Sequence, residues 1–246
     1  MLKGKNAVIT GCNRGIGKSI LEVFAQNGAH IWACLRKKDT EFLNFIESLS
    51  DKNNVLIQPI YFDLSNYDEL KNAALEINND SKPVDILVNN AGIIHVSLFQ
   101  MTPINKIKEN FDVNFFSQMF FTQYLVKGMI KNKKGSIVNI SSSSAIEANI
   151  GRIAYAASKS SLITASKVIA NELGKFNIRV NAIAPGLTDT DMMKNSTSIP
   201  VLNETIKRIP LGRIAKPLEI ANVVLFLSSD LSSYITGQVL RVDGGM

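Results

Sequence analysis

Tyr155 and Lys159 stand four residues apart in RIAYAASKSSLITASKVIANEL, a run whose apolar positions recur with a helical period. At i and i+4 they share one helix face, so the ammonium can lie beside the phenol. Free tyrosine has a pKa of about 10, too high for efficient proton exchange at neutral pH. An adjacent cation favours the phenolate, and a drop of about three units corresponds to about 4 kcal/mol of differential interaction. A Tyr/Lys pair at this spacing is also common on inert helices, so its meaning depends on what surrounds it. Ser141 to Ser144 follow an apolar run. Their hydroxyls would either meet a substrate carbonyl as charge develops on its oxygen, or serve as a serine-rich loop and helix cap. Asn114, within NFDVNFF, is polar among apolar neighbours. It would hold a water that passes protons to Lys159, or make a structural hydrogen bond.

A second group of residues suits an anion. Gly11, Asn13, Arg14, Gly15, Ile16 and Gly17 lie between the first apolar run and the helical KSILEVFAQNG. Glycines at a strand-to-helix turn let backbone approach a pyrophosphate, and the helix N-terminus adds free N–H groups and a positive dipole end. A lone glycine-rich run is weak evidence, but its position at the first strand-to-helix turn strengthens it. Dinucleotide-binding chains that use NAD place a carboxylate at the end of the second strand, on the ribose hydroxyls. Here IWAC runs into Leu35-Arg36-Lys37, with no acid before Asp39. Arg36, with Arg14 approaching from the glycine loop, would suit a 2′-phosphate through its planar fork. NADPH is therefore the expected cofactor. Asp63 would accept from the adenine amino group or cap the following helix, and Asn90-Ala91-Gly92 would lie near the adenosine ribose.

These groups need a scaffold that gathers strand ends. Segments Ala7–Thr10, Ile31–Cys34, Val55–Ile60, Ile86–Asn89, Ser136–Ile140, Arg179–Ala184 and Val239–Val242 predict strands. Helical periodicity predicts helices over 15–27, 40–50, 66–79, 103–130, 152–174 and 217–228. Strict alternation implies an α/β fold, a single doubly wound Rossmann domain over 1–246. Its seven-stranded parallel sheet would have helices on both faces and its ligand beyond the carboxyl ends of the strands. Thr188–Pro210 breaks the alternation and predicts a mobile lid over the site, against a plain surface excursion.

With 46% hydrophobic and 20% charged residues, the composition is that of an ordinary soluble domain. No apolar run reaches the roughly 20 residues of a membrane helix. The start MLKGKNAVITG enters a strand pattern at once, without a secretory signature, so a cytoplasmic protein with no membrane association is expected. Cys12, Cys34, His30 and His95 show no metal-ligand spacing. Both cysteines are expected to be buried small hydrophobes, and His95 to line a pocket or sit in an ordinary loop. A net charge of +6 favours anionic ligands. The short clusters Arg36–Lys38 and Lys131–Lys134 lack interleaved aromatics, so nucleic-acid binding is not expected.

TGCNRGIG, NNAG, the serine loop, YAASK and PGLTDT together resemble, in order and over nearly the whole chain, the short-chain dehydrogenase/reductase family. The resemblance selects Ser142 among the four serines, thirteen residues before the tyrosine. It implies Tyr155 as general acid, Lys159 as the residue that lowers its pKa and holds the nicotinamide ribose, and Asn114 as the relay residue. It further implies Asp63, Leu64, Asn90, Ala91 and Gly92 along the adenosine side, and Pro185, Gly186 and Thr188 beside the nicotinamide. The GIG loop and the tail LGRIAKPLEIANVVLFLSSDLSSYITGQVLRVDGG are most similar to its 3-oxoacyl-[acyl-carrier-protein] reductases. These are typically homotetramers that dock an acidic carrier protein on basic residues near the site, for which Lys133 and Lys175 are the counterparts; Phe176 departs from that pattern. The expected activity is NADPH-dependent reduction of a 3-oxoacyl thioester. The alternatives are reduction of another carbonyl (sugar, polyketide or small ketone) at the same site, or a dinucleotide-binding scaffold, which would not need the full Ser/Tyr/Lys/Asn set.

Overall fold

The computed structural model describes residues 1–246. In chain order its elements are β1 (Asn6–Thr10), α1 (Gly15–Gln26), β2 (His30–Leu35), α2 (Thr40–Asn53), β3 (Ile57–Tyr61), α3 (Tyr67–Asn79), β4 (Ile86–Asn89), α4 (Ile104–Phe111), α5 (Ser117–Asn132), β5 (Gly135–Ile140), α6 (Ser144–Glu147), α7 (Ile153–Leu173), β6 (Ile178–Pro185), α8 (Asp191–Ser196), α9 (Ile199–Arg208), α10 (Pro217–Ser228) and β7 (Val239–Val242). All seven strands are parallel, in the order β3-β2-β1-β4-β5-β6-β7. The expected doubly wound α/β sheet is therefore what the chain forms. Parallel strands covered on both faces need continuous apolar runs, and every residue of β1 is buried.

Two cores flank the sheet. On one face Ile20 and Phe24 of α1 meet Ile220 and Val224 of α10. On the other, Leu70 and Ile77 of α3 pack with Phe121, Leu125 and Met129 of α5. Full burial of each such side chain contributes about 1.5–3 kcal/mol. Cys12 and Cys34 are free thiols inside these cores, as expected, and burial pushes both up from their ordinary pKa. No helix is long and apolar enough to cross a membrane.

Three differences from the sequence reading have local causes. The third strand begins at Ile57 rather than Val55, because Asn54 takes a left-handed conformation at the end of α2 (φ 51°) and Leu56 is turned outward. The predicted helix 103–130 is α4 and α5 joined by a π-helical turn over Asp112–Phe116, where the buried Asn114 is drawn into side-chain hydrogen bonds. The interruption at 188–210 holds two short helices, α8 and α9. It is tied down at Thr188 by a parallel bridge to Ala215, and no residue of α9 is fully buried.

Candidate active site

The strand order reverses between β1 and β4, and the carboxyl ends of these two strands open a crevice. The glycine loop fills its floor. Gly11 has a φ of +66°, and a Cβ there would lie 2.9 Å from the Ala91 Cα. A Cβ on Gly17 would lie 2.0 Å from the Gly11 carbonyl oxygen and 2.5 Å from the Asn90 Nδ2. The loop is thus as close to the chain beneath it as backbone can come. Thr10 Oγ1 accepts from the Asn90 and Ala91 amides at 3.0 and 3.1 Å, and the Asn90 side chain donates to the Thr10 and Gly11 carbonyls at 2.9 and 3.0 Å. Asn90 therefore spends its amide on holding the loop. α1 starts after Arg14 with neither a side-chain cap nor an acid in its first turn. Its open N–H groups fit a pyrophosphate, and this cradle suits a dinucleotide. Asn13 is exposed beside it, and Ile16 packs down onto the core.

Arg14 and Arg36 are both exposed and neither takes part in an ion pair. Asp63 accepts from the Ser65 amide at 2.9 Å and its hydroxyl at 2.7 Å. Those two bonds, with Arg36 and Lys37 nearby, hold its carboxyl below the ordinary range. The cap of α3 is Asn66, which accepts from the Asp68 and Glu69 amides, so Asp63 closes the turn before the helix rather than the helix itself. The Leu64 carbonyl accepts from the Ser117 hydroxyl at 2.5 Å. Beyond β6, the Pro185 carbonyl accepts from the Ser143 amide at 2.8 Å and the Gly186 amide donates to Val242 at 2.9 Å. A Cβ on Gly186 would lie 2.7 Å from Asp243, and the buried Thr188 donates its hydroxyl to the Gly186 carbonyl at 3.0 Å.

The structure brings Ser142, Tyr155, Lys159 and Asn114 together at the carboxyl end of β5. Ser142 is buried and accepts from the Ser144 amide at 3.2 Å, while the neighbouring Ser141 donates to the Lys159 carbonyl at 2.7 Å. Lys159 is 3% exposed and its Nζ donates to the Ile140 carbonyl at 2.8 Å. Burial lowers its pKa to about 8. Tyr155, half-buried, is pushed up from the usual phenol value by burial, with the Ser142 hydroxyl and the Arg152 guanidinium drawing it back. Lys159 thus anchors its ammonium on the β5 backbone. Asn114 Oδ1 accepts from the Ile93 amide at 2.8 Å, and its Nδ2 donates to the Ile93 carbonyl at 2.9 Å and the Ser158 hydroxyl at 3.0 Å. It and Lys159 meet at Gly92, where a Cβ would lie 2.9 Å from Asn114 Oδ1 and 3.3 Å from Lys159 Nζ.

Three supporting features are absent from the sequence reading. Buried Asn139 accepts from Asn89 at 2.8 Å and donates to Ser166 at 2.8 Å, and Asn89 also donates to Thr122 at 3.0 Å. This chain of amides fixes α5 and α7 to the sheet, and its signal was an asparagine inside each of the apolar runs ILVN and IVNI. The second feature is Arg152, one turn before Tyr155. The third is the placement of Lys133 and Lys175, which follow α5 and α7 just before β5 and β6 begin. They stand at the amino edge of the sheet, about 20 Å of strand away from the site within one protomer.

A family profile described as "Enoyl-(Acyl carrier protein) reductase" matches residues 11–246. A "3-oxoacyl-[acyl-carrier-protein] reductase FabG" of Chlamydia muridarum (strain MoPn / Nigg) is 40% identical, over 100% of this chain and 98% of that protein. A "3alpha-hydroxysteroid dehydrogenase" of Mediterraneibacter gnavus is 36% identical, over 99% and 97%. Among solved structures, a "short chain dehydrogenase/reductase family protein" superposes with a TM-score of 0.87 at 32% identity, over 99% and 97%. A Beutenbergia cavernae chain assigned as an NAD(P)-dependent gluconate 5-dehydrogenase, solved with NADP at low occupancy, gives 0.90 at 31% identity, over 99% and 97%. A profile over nearly the whole chain and full-length relatives at up to 40% identity show that the chain belongs to the short-chain dehydrogenase/reductase family, nicotinamide-dependent oxidoreductases that act on CH–OH and C=O groups.

Proposed function

We propose that the chain is an NADPH-dependent reductase of 3-oxoacyl thioesters, with Ser142, Tyr155 and Lys159 as catalytic residues and Asn114 in support. The observation that carries the cofactor choice is the pair of exposed, unpaired guanidiniums of Arg14 and Arg36 beside the cradle, where a carboxylate would repel a 2′-phosphate. The likeness to the Chlamydia 3-oxoacyl-[acyl-carrier-protein] reductase, at 40% identity over the full chain, supports the substrate class.

When bound, the nicotinamide supplies the hydride. The chain's own residues orient the carbonyl and deliver the proton. Ser142 donates a hydrogen bond to the carbonyl oxygen, where charge grows in the transition state. Tyr155 gives the proton: burial keeps its phenol protonated at neutral pH, which suits a donor in the reductive direction. Lys159, with a pKa of about 8, can both hold and pass a proton near neutrality. Asn114 fixes the Ile93 backbone against α7, and the bare Gly92 leaves room for Asn114 and the Lys159 ammonium beside it. Gly11, Asn13, Gly15, Ile16, Gly17, Asp63, Leu64, Asn90, Ala91, Gly92, Pro185, Gly186 and Thr188 form the cofactor groove. Residues 188–210 form the lid, reaching the glycine loop through Thr190, whose Cγ2 would lie 3.1 Å from a Cβ on Gly15.

The assembly proposed is a cytoplasmic homotetramer through α4, the π turn, α5 and α7, where Ile104, Phe116 and Val168 are exposed. An acidic carrier protein is steered by the net charge of +6, to which Lys133 and Lys175 contribute at the ends of α5 and α7, the helices of the proposed tetramer interface. The test is steady-state NADPH oxidation with acetoacetyl thioesters, free and carrier-bound, against a panel of sugars, steroids and small ketones. Thioester kcat/KM well above the panel is expected; a panel member preferred by tenfold or more overturns the substrate class.

A further inference from the structure

Arg152 is the last residue before α7 and stands one turn before Tyr155, about 5–6 Å along the helix surface. Its guanidinium is half-buried, yet no carboxylate pairs with it. Its contacts are all to neutral oxygens at the end of α8: Nη2 donates to the Ser196 carbonyl at 3.0 Å and the Thr197 hydroxyl at 3.2 Å, and Nη1 reaches the Ser196 hydroxyl at 3.4 Å. Nε has no partner among these bonds. A guanidinium carries five N–H donors, so bonding capacity is left over beyond the contacts to α8. Partial burial of a charge is costly, and neutral oxygens offset it less than an anionic partner would. Fastening α8 alone needs a neutral donor, not a charge.

The surroundings show what the spare donors face. The Ser97 amide donates to the Gly151 carbonyl at 3.0 Å, so the loop after β4 runs beside the segment that leads into α7. On that loop His95 holds a buried Nε2 without a partner. Val96 beside it, Ile150 before Gly151 and Ile199 just past Thr197 are exposed, an apolar rim. The mouth of the site therefore combines an apolar surface with unspent hydrogen-bond donors on a residue one helical turn from Tyr155.

We propose that Arg152 is a specificity-determining residue that takes the acyl oxygen of the substrate, the thioester C=O one methylene away from the carbonyl that Tyr155 protonates. This rests on the reading of the substrate as a 3-oxoacyl thioester. Two oxygens separated by one methylene match two side chains one helical turn apart, and the apolar rim accepts the acyl chain.

The experiment compares the native protein with Arg152→Gln and Arg152→Lys. Gln keeps a donor for the Ser196 carbonyl and removes the charge; Lys keeps the charge and loses the fork. Each is assayed with NADPH on S-acetoacetyl-N-acetylcysteamine, and in single turnover on a 2-alkanone of matched length, which lacks the acyl oxygen. Expected is a fall in thioester kcat/KM of tenfold or more for Arg152→Gln, mostly in KM, with partial recovery in Arg152→Lys. The 2-alkanone should stay within threefold in both. Equal losses on both substrates, or an unchanged thioester, overturn the proposal and leave Arg152 a fastening for α8. A native protein that reduces the 2-alkanone and not the thioester overturns the substrate reading, and the role of Arg152 with it.

Discussion

Lys159→Met separates the chemical use of this lysine from its structural cost. The ammonium is 3% exposed and its pKa is lowered from 10.5 to about 8 by burial. A base with a depressed folded-state pKa binds fewer protons folded than unfolded between those two values. Stability from this group therefore rises with pH across about 8 to 10.5, and below pH 8 the folded state bears the full cost. That cost is about 3 kcal/mol at pH 7, from a shift of two to three units. Replacing Lys159 by Met removes it but leaves the Ile140 carbonyl without its 2.8 Å donor, a loss of about 1–3 kcal/mol. The net change at pH 7 is accordingly small or stabilising, a rare outcome for a buried substitution. The pH dependence is the sharper quantity. Cys12 and Cys34, whose thiols burial pushes up, lose stability over part of the same range, so native and variant must be compared at each pH. Urea denaturation at pH 7 and pH 10 should show the variant's stability relative to native falling by about 2–3 kcal/mol between the two. A difference that stays constant within 0.5 kcal/mol, on the order of the error of such extrapolations, would refute the claim that Lys159 is held largely by desolvation. Reductase activity should be lost at both pH values.

Other substitutions address the cradle, the cofactor choice and the proton donor. Gly17→Ala places a Cβ 2.0 Å from the Gly11 carbonyl oxygen; it should displace the loop and weaken NADPH binding at least tenfold by fluorescence titration, with a smaller effect on unfolding. The native protein should bind NADPH at least tenfold tighter than NADH, about 1.4 kcal/mol, and Arg36→Asp should narrow or invert that ratio; equal affinities in the native chain would sink the assignment. Tyr155→Phe should retain cofactor affinity and less than a few percent of turnover, since only the phenolic proton is removed; substantial single-turnover hydride transfer would place the acid elsewhere.

Much of this protein was legible in its sequence because the decisive signals are local. The β/α alternation, the glycine loop at the first strand-to-helix turn and the four-residue spacing of Tyr155 and Lys159 depend on backbone geometry within one or two elements, and each lies where the periodicity placed it. The missing acid after β2 is equally local. What spacing could not supply was direction and depth. A shared helix face brought Lys159 near Tyr155, but only the depth of α7 against β5 sends its ammonium on to the Ile140 carbonyl and desolvates it. The π turn carries Asn114, whose side chain bonds Ile93 and Ser158, partners 21 and 44 residues away. Lys133 and Lys175 look like neighbours of the site by motif, yet the parallel sheet puts residues before a strand at the opposite edge from those after it. Arg152 reads in sequence as a helix-leading arginine; its meaning comes from α8 folding over it and leaving a charge half-buried beside the phenol. Long-range packing decides desolvation, and desolvation decides which of these charged side chains is poised for chemistry.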